Sequence, residues 1–390
     1  MKFKYKACVV GGCGHVGLPL AITLADAGLE TIILDIDEKA VLKVKAGVVP
    51  FKEHGAEALL KKALKSKKLS TSTDTAVVSE SEYIVIIIGT PIDRHLNPKI
   101  QDIHNVVRGL LPHLNNNQTI ILRSTVYPGT SQLVYEFLKK NGKNLKLAFC
   151  PERIAQGYAI EEIKSLPQII SGIDRASVLS AKKLFSKIVN ETVELSLEEA
   201  ELAKLFTNSW RYIQFATANQ FFMIADQKGL DFHKILHAIK HNYPRAKNFP
   251  GAGLAAGPCL FKDTMQIAAF NNNQFFLGHA AMLINEGLPD YLVSKLKTKY
   301  DLKKKTVGIL GMAFKADNDD KRDSLSYKLK KLLEIEAKKV FCTDVYIRDP
   351  EFVPAKELCQ KSDIIIVACP HKEYKNLKFK LKQKVVDIWS

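Results

Sequence analysis

The sequence predicts an α/β protein with two doubly wound parallel sheets, joined by a long central helix and a helical middle domain. Three patterns carry this expectation. Short all-apolar runs, the mark of parallel strands buried on both faces, alternate with helical patterns in the amino-terminal half. The same alternation resumes after Lys305, and between the two a helical pattern runs from Leu197 to about Ala225 without a proline. A chain of 390 residues is also too long for one ordinary core. The patterns divide it into 1–196, 197–300 and 301–390.

The first strand, Lys6 to Val10, leads into Gly12-Cys13-Gly14-His15-Val16-Gly17, followed by a helix from Leu18 to Ala27 and a strand from Thr31 to Leu34 that ends on Asp35. G-x-G-x-x-G alone is weak. With a strand before it, a helix after it and an acid about twenty residues on, it marks a Rossmann-like dinucleotide site. Gly12 is expected to make the tight turn, Gly14 to admit a pyrophosphate to the backbone beside His15 and Val16, and Gly17 to let helix and sheet touch. Asp35 can accept from a ribose 2′-hydroxyl, which favours NAD over NADP, and Lys39 follows it among the cofactor candidates.

Three further apolar runs end in polar residues: Tyr83 to Ile88 in Gly89-Thr90-Pro91, Thr119 to Leu122 in Arg123-Ser124-Thr125, and Lys146 to Phe149 in Cys150-Pro151-Glu152-Arg153. Ligands of open α/β sheets lie beyond the carboxyl ends of strands. Thr90, Pro91, Ser124, Thr125 and Glu152 are thereby expected on one rim, although a hydroxyl after a strand also serves as a helix cap.

In the central helix Lys204 and Asn208 stand at i and i+4, on one face. Leu202, Leu205 and Phe206 beside them suggest a largely buried helix, where an ammonium and an amide could stabilise an oxyanion. His233, His237 and His241 share a face, but no carboxylate completes a metal set and no metal is expected. Beyond Phe249 comes Gly251-Ala252-Gly253-Leu254-Ala255-Ala256-Gly257-Pro258-Cys259-Leu260-Phe261-Lys262-Asp263. Small residues there suit a loop that admits substrate to a sulfur, and Cys259 with Lys262 and Asp263 close by reads as a nucleophile rather than a core thiol.

The last third repeats the strand and helix order: Thr306 to Leu310, Ser324 to Glu336, Lys339 to Cys342, Asp363 to Ala368, and Val385 to Ile388. It lacks the full glycine fingerprint, so its ligand is not expected to be a second dinucleotide. The charged loop from Phe314 to Ser324 sits between its first strand and helix, with Lys315 and Arg322 placed for a diphosphate.

Composition narrows the class. Hydrophobic residues make up 46% and charged residues 25%, as in globular proteins, and no apolar run reaches membrane-span length. The net charge of +16 comes from lysines scattered along amphipathic segments, which points to anionic small ligands and away from nucleic acid. Seven dispersed cysteines with no C-x-x-C pair suggest reduced thiols in the cytoplasm.

Taken together, the glycine fingerprint, Gly89-Thr90-Pro91, Ser124-Thr125, Pro151-Glu152, the helix from Glu199-Ala200-Glu201 to Asn208, Gly257 to Asp263 and Gly311 to Ser324 resemble the UDP-glucose/GDP-mannose dehydrogenase family along nearly the whole chain. The resemblance implies oxidation of C6 of a UDP-sugar from alcohol to acid, with two NAD per turnover and a cysteine thioester. It implies Cys259 as nucleophile, Lys204 and Asn208 on the oxyanion, and Asp263, Thr125 and Glu152 handling water and protons. It also implies Phe314 and Lys315 on the nucleotide and Arg322 on the cofactor, with Arg153, Phe249, Gly253 and Gly257 completing the sugar-nucleotide site, in a homodimer built on the central helix. Pro151 to Gly157 and Pro370-His371 look like members that act on N-acetylated sugars, while Ala255-Ala256-Gly257-Pro258 replaces a more glycine-rich approach. Two other readings stay open: a one-step hydroxyacid dehydrogenase with a structural Cys259, and a basic binding protein that kept the fold without activity.

Overall fold

A computed structural model describes residues 3–93, 99–255 and 257–389, so Ala256 of the cysteine loop lies outside the described residues. The chain divides into two compact units, Met1–Phe206 and Thr207–Ser390.

The first unit runs β1 (Tyr5–Val10), α1 (Gly17–Asp26), β2 (Thr31–Leu34), α2 (Glu38–Lys45), α3 (Ala56–Lys65), β3 (Leu69–Ser72), β4 (Ser81–Ile86) and α4 (Gln101–Leu110). It continues with β5 (Thr119–Leu122), α5 (Thr130–Lys140), β6 (Lys146–Phe149), α6 (Ala159–Ser165), β7 (Gln168–Gly172), α7 (Arg175–Phe185) and β8 (Thr192–Glu194), and enters the long α8 (Leu197–Gln227). The strands form one sheet in the order β3-β2-β1-β4-β5-β6-β7-β8, parallel except where β7 runs against β6.

Alternate strand residues feed opposite faces of this sheet. Val9, Ile33, Val85, Ile121 and Ala148 join one core with Leu18, Leu20 and Leu24 of α1. Cys8, Ile32, Ile84, Ile120 and Leu147 join the other with Ile103 and Val107 of α4 and Val134 and Leu138 of α5. Each fully buried aliphatic chain contributes about 1.5–3 kcal/mol. Register matters more for the site. Val10 pairs with Leu34 and Ile86, Ile86 with Leu122, and Leu122 with Phe149, so five strands end level.

The second unit holds the rest of α8, then α9 (Phe232–Lys240), α10 (Leu260–Phe270) and α11 (Phe276–Lys299). A four-stranded parallel sheet follows, from β9 (Thr306–Leu310), α12 (Leu325–Glu336), β10 (Lys339–Thr343), α13 (Ala355–Lys361), β11 (Ile364–Val367) and β12 (Lys384–Asp387), ordered β10-β9-β11-β12. The predicted α/β class with two parallel sheets and a helical middle is the observed one. One packing expectation fails: of the residues flanking Lys204, Leu205 is buried but Phe206 is 54% exposed, so α8 is not covered all round. Among the described residues, no helix is long and apolar enough to cross a membrane.

Candidate active site

The level strand ends put Gly11, Asp35, Arg123 and Cys150 at the start of one rim. Gly11 has φ +74° and a Cβ on it would lie 2.0 Å from the Ile87 carbonyl oxygen, so the left-handed turn residue stands one place before the expected Gly12. Gly12 is required for a different reason, since its Cβ would strike the Val9 carbonyl at 2.7 Å and Ile33 at 2.8 Å. At Gly17 a Cβ would meet the Gly11 and Gly12 backbone. Gly14 alone is exposed, with its nearest neighbour 3.7 Å from a Cβ position. Val16 precedes α1 with no side-chain cap, leaving the helix N-terminus for an anion. The His15 ring lies 4.0 Å from that of Phe51. Asp35 accepts the Cys13 N–H at 2.9 Å through Oδ2 and the Asp37 N–H at 3.1 Å through Oδ1, which holds an acceptor beside the turn. The open Gly14 and the fixed Asp35 fit a dinucleotide with a free ribose hydroxyl; Lys39 is exposed on α2.

Three hydroxyls reach the rim, and two are spent on stitching it. Ser124 Oγ donates to the Ile88 carbonyl at 2.9 Å and accepts the Ile88 N–H at 2.7 Å. Thr90 Oγ1 donates to the Thr125 carbonyl at 2.6 Å, and Pro91 after it is exposed. The Thr125 side chain is half-buried and has no hydrogen-bond partner among the described residues. Glu152 is buried and held on all sides. Its Oε1 accepts the N–H groups of Arg153 (2.6 Å) and Ile154 (2.9 Å), and its Oε2 pairs with the Arg123 guanidinium. The Arg153 guanidinium donates to the Pro167 carbonyl.

Sequence reasoning missed a second use of carboxylates. Glu53 accepts the Gly157 and Ala159 N–H groups at 2.8 and 2.6 Å, which pins the segment after Arg153 from more than a hundred residues away in sequence. Burial raises its pKa against the pull of those amides. The pattern offers no local sequence signal, because the partners are backbone atoms.

In the second unit Cys259 is exposed and occupies the N-cap of α10, its carbonyl accepting the Asp263 N–H at 2.9 Å. The six other cysteines are buried. Burial pushes Cys8, Cys150 and Cys342 up to about 12 and so keeps them as thiols. An exposed sulfur at the positive end of an 11-residue helix is the setting that favours thiolate. Asp263, four residues on, is fully buried and accepts the Asn208 amide at 2.5 Å through Oδ2, with the Lys262 ammonium 3.0 Å from Oδ1. Lys204, one turn before Asn208 on α8, is half-buried and has no acceptor among the described residues.

The cysteine loop leans on the charged loop after β9. Gly257 has φ +108°, its Cβ position lies 2.6 Å from the Phe314 ring, and its N–H donates to the Asp323 carbonyl at 3.3 Å. The Lys315 ammonium lies 5.9 Å from the Phe314 ring centroid, and Asp320 grips the Arg322 guanidinium at 2.6 to 3.0 Å. Gly253 is packed otherwise: a Cβ would meet the Trp389 ring, and Asn219 holds both its backbone groups. Phe249 stacks on Phe221 at 5.9 Å.

Asp344, at the end of β10, occupies the place that Asp35 holds in the first sheet. It accepts the Met312 and Ala313 N–H groups at 2.6 and 3.0 Å and those of Tyr346 and Ile347 at 2.8 and 3.0 Å. His371 accepts the Asp317 N–H through Nδ1 at 3.0 Å, so its proton sits on Nε2 and points to Asp344 Oδ2 at 3.1 Å. Burial alone would raise the Asp344 carboxyl, but the hydrogen bond from His371 and the amides of Tyr346 and Ile347 hold it below the ordinary range. A depressed carboxyl stabilises the fold above the unfolded pKa and loses that contribution as pH falls through the folded one. The stabilisation is thus full above about pH 4 and fades below it. Asp344→Asn is expected to cost about 1.5–3 kcal/mol at neutral pH and to flatten the acid limb of melting temperature against pH. Parallel curves for the two proteins would show that the network carries no such weight.

A glycine turn open at Gly14, an acid at Asp35 and a strand-end rim define a dinucleotide-binding protein of the Rossmann type. The chain belongs to the UDP-glucose/GDP-mannose dehydrogenase family. It matches the family's NAD binding domain over residues 5–189, its central domain over 198–286 and its UDP binding domain over 308–389. Its cofactor is NAD. It is 30% identical to the UDP-N-acetyl-D-mannosamine dehydrogenase of Methanocaldococcus jannaschii, over 98% of this chain and 91% of that one. In fold it is similar to a UDP-D-ManNAc dehydrogenase from Pyrococcus horikoshii (TM-score 0.90, 24% identity, 98% of this chain and 99% of that one). It is equally similar to a UDP-glucose dehydrogenase from Pyrobaculum islandicum (TM-score 0.91, 24% identity, 100% of this chain and 95% of that one).

Proposed function

We propose that the protein oxidises the C6 hydroxymethyl group of a UDP-sugar to a carboxylate, and that the sugar is an N-acetylated hexosamine. The observation that carries the reading is Cys259: an exposed thiol at a helix N-terminus, four residues from a buried Asp263 that is bonded to Asn208. The relatives named as acting on UDP-N-acetyl-D-mannosamine favour that sugar class.

Bound NAD supplies the hydride acceptor, used twice. The alcohol first loses a hydride and a proton to give an aldehyde. The Cys259 thiolate adds to its carbonyl carbon, and Lys204 and the Asn208 amide stabilise the oxygen that takes up charge. The adduct gives up the second hydride and becomes a thioester. Water attacks this carbon with Thr125 and Asp263 guiding its proton and Glu152 lending a fixed negative charge, and the sulfur leaves as thiolate. One alcohol, one water and two oxidised cofactors yield one carboxylate, two reduced cofactors and three protons. Covalent capture is what permits the second oxidation without release of aldehyde.

The functional segments are 1–196 for NAD, 197–300 for the nucleophile and self-association, and 301–390 for the UDP moiety. A second copy of the chain is the proposed cover for exposed Trp210 and Ile224 on α8 and Phe276 and Leu283 on α11, 60%, 52%, 76% and 68% exposed. Sedimentation as a 43.6 kDa monomer would refute that. Among the described residues the cysteines form no disulfide, which fits a cytoplasmic enzyme. Neither nucleic acid nor a membrane enters the reading.

A panel of UDP-sugars followed by reduced-cofactor absorbance, with the product weighed by mass spectrometry, tests it. Two reduced cofactors per carboxylate formed supports the proposal. One per turnover with a ketone product points to a one-step hydroxyacid dehydrogenase, and cofactor-independent nucleic-acid binding without turnover points to a silent basic protein.

A further inference from the structure

Glu201 carries no part of the chemistry above, yet its surroundings are built with care. It is 1% exposed, on the second turn of α8. Its carboxylate accepts the Gly129 N–H through Oε2 at 2.6 Å and the Ser131 N–H through Oε1 at 2.9 Å. These are the first amides of α5, whose own N-cap is Gly129 with φ +90° and no side-chain cap. A residue 70 positions along the chain therefore does what a serine or aspartate normally does locally.

A local cap would finish α5 equally well, but it would tie α5 to nothing. Glu201 ties it to α8. Burial works against the ionised carboxyl and raises its pKa, with the Ser131 and Gly129 bonds pulling the other way. A buried carboxylate kept under that penalty points to a requirement of geometry rather than stability.

The geometry concerns two groups. On one side, the segment from Arg123 to Gly129 is fastened at its front by the Ser124–Ile88 hydrogen bonds and at its rear by Glu201, and the Thr125 hydroxyl, without a hydrogen-bond partner among the described residues, lies between the two anchors. On the other, Lys204 follows Glu201 by three residues and Asn208 by seven, rotations that keep all three on one face of α8. The helix face that grips the Thr125 segment is the face that carries Lys204.

We propose that Glu201 is a positioning residue that fixes Thr125 relative to Lys204, so that hydroxyl and ammonium address the same substrate centre. This rests on the reaction proposed above. A shift of about 1 Å between groups that act together costs on the order of a hundredfold in rate.

Glu201→Gln tests it, because glutamine keeps the volume and one acceptor but turns its NH2 against one of the two amides. Expected is a kcat lowered about 10- to 100-fold at 25 °C, with KM for NAD and for UDP-sugar within about threefold and the protein still folded by its melting curve. The same change in a Thr125→Val background is expected to cost less than about threefold more, since the group it aligns is already gone. A lowered melting temperature with wild-type kcat at 25 °C, or losses that multiply fully in the double variant, would overturn the positioning role while leaving the reaction intact. A wild-type protein that turns over no UDP-sugar would instead overturn the reaction, and this role with it.

Discussion

Cys259→Ser is expected to abolish conversion of UDP-sugar to acid, with kcat lowered by at least about a thousandfold, while the dissociation constant for NAD stays within about twofold. A serine hydroxyl is scarcely ionised at neutral pH and a helix N-terminus cannot make up the difference, whereas a thiol in that position gains thiolate readily. The residues proposed for the cofactor, Gly12 to Gly17 and Asp35, belong to the first unit and the sulfur to the second, so the loss is expected to fall on chemistry. Rapid mixing with NAD and UDP-sugar, quenched and read by intact mass, should find the sugar adduct on wild-type protein and none on the variant. Brief alkylation offers a second check, because Cys259 is exposed and the other cysteines are buried. Full turnover by Cys259→Ala would remove the covalent step and favour a one-step dehydrogenase.

The framework behind that expectation was largely legible in the sequence, for a definable reason. Parallel strands buried on both faces read as short apolar runs, and those at Thr31–Leu34, Thr119–Leu122, Lys146–Phe149 and Thr306–Leu310 are strands within the bounds the pattern gives. Strands of mixed polarity are harder to see. β7 begins on Gln168 and holds Ser171, and both side chains bond to atoms of the β6 end or the loop after it, a need no periodicity reports. α11 carries Pro289 in its interior, which argues against a helix on local grounds.

The candidate site divides along the same line. Residue types at motif spacing pointed to Cys259, Asp263 and Asn208, and the Asn208–Asp263 bond joins two of them across 55 residues. What the motif hides is how each group is committed. Ser124, Thr90 and Thr125 look alike in sequence, but the hydroxyls of Ser124 and Thr90 are consumed by backbone partners. Glu53, Glu152 and Glu201 all grip main-chain amides, which any sequence supplies, so that part of their role has no partner residue to mark it.

Arg123→Met follows from the most deeply committed of these carboxylates. The Arg123 side chain is 1% exposed; Nη1 donates to the Cys150 carbonyl at 3.0 Å and to Gln168 Oε1 at 2.8 Å, and Nη2 to Glu152, with the guanidinium 5.0 Å from the Phe185 ring centroid. Its Nε is buried without an acceptor among the described residues, so the group stays for what its other nitrogens hold. Methionine matches much of the volume and none of the charge, leaving the Glu152 carboxylate with only two amides and two further acceptors with no donor. Breaking a buried pair from one side costs about 3–5 kcal/mol, or roughly 10 °C in the melting temperature of a unit this size. Neutralising the orphaned partner should return much of it, so Arg123→Met/Glu152→Gln is expected to melt above Arg123→Met alone even though it lacks both charges. That inversion separates an uncompensated carboxylate from a simple packing defect, in which the second change could only add to the first. Equal or lower stability of the double variant would mean that the guanidinium acts through its contacts with Cys150, Gln168 and Phe185, and that Glu152 does not depend on it for its charge.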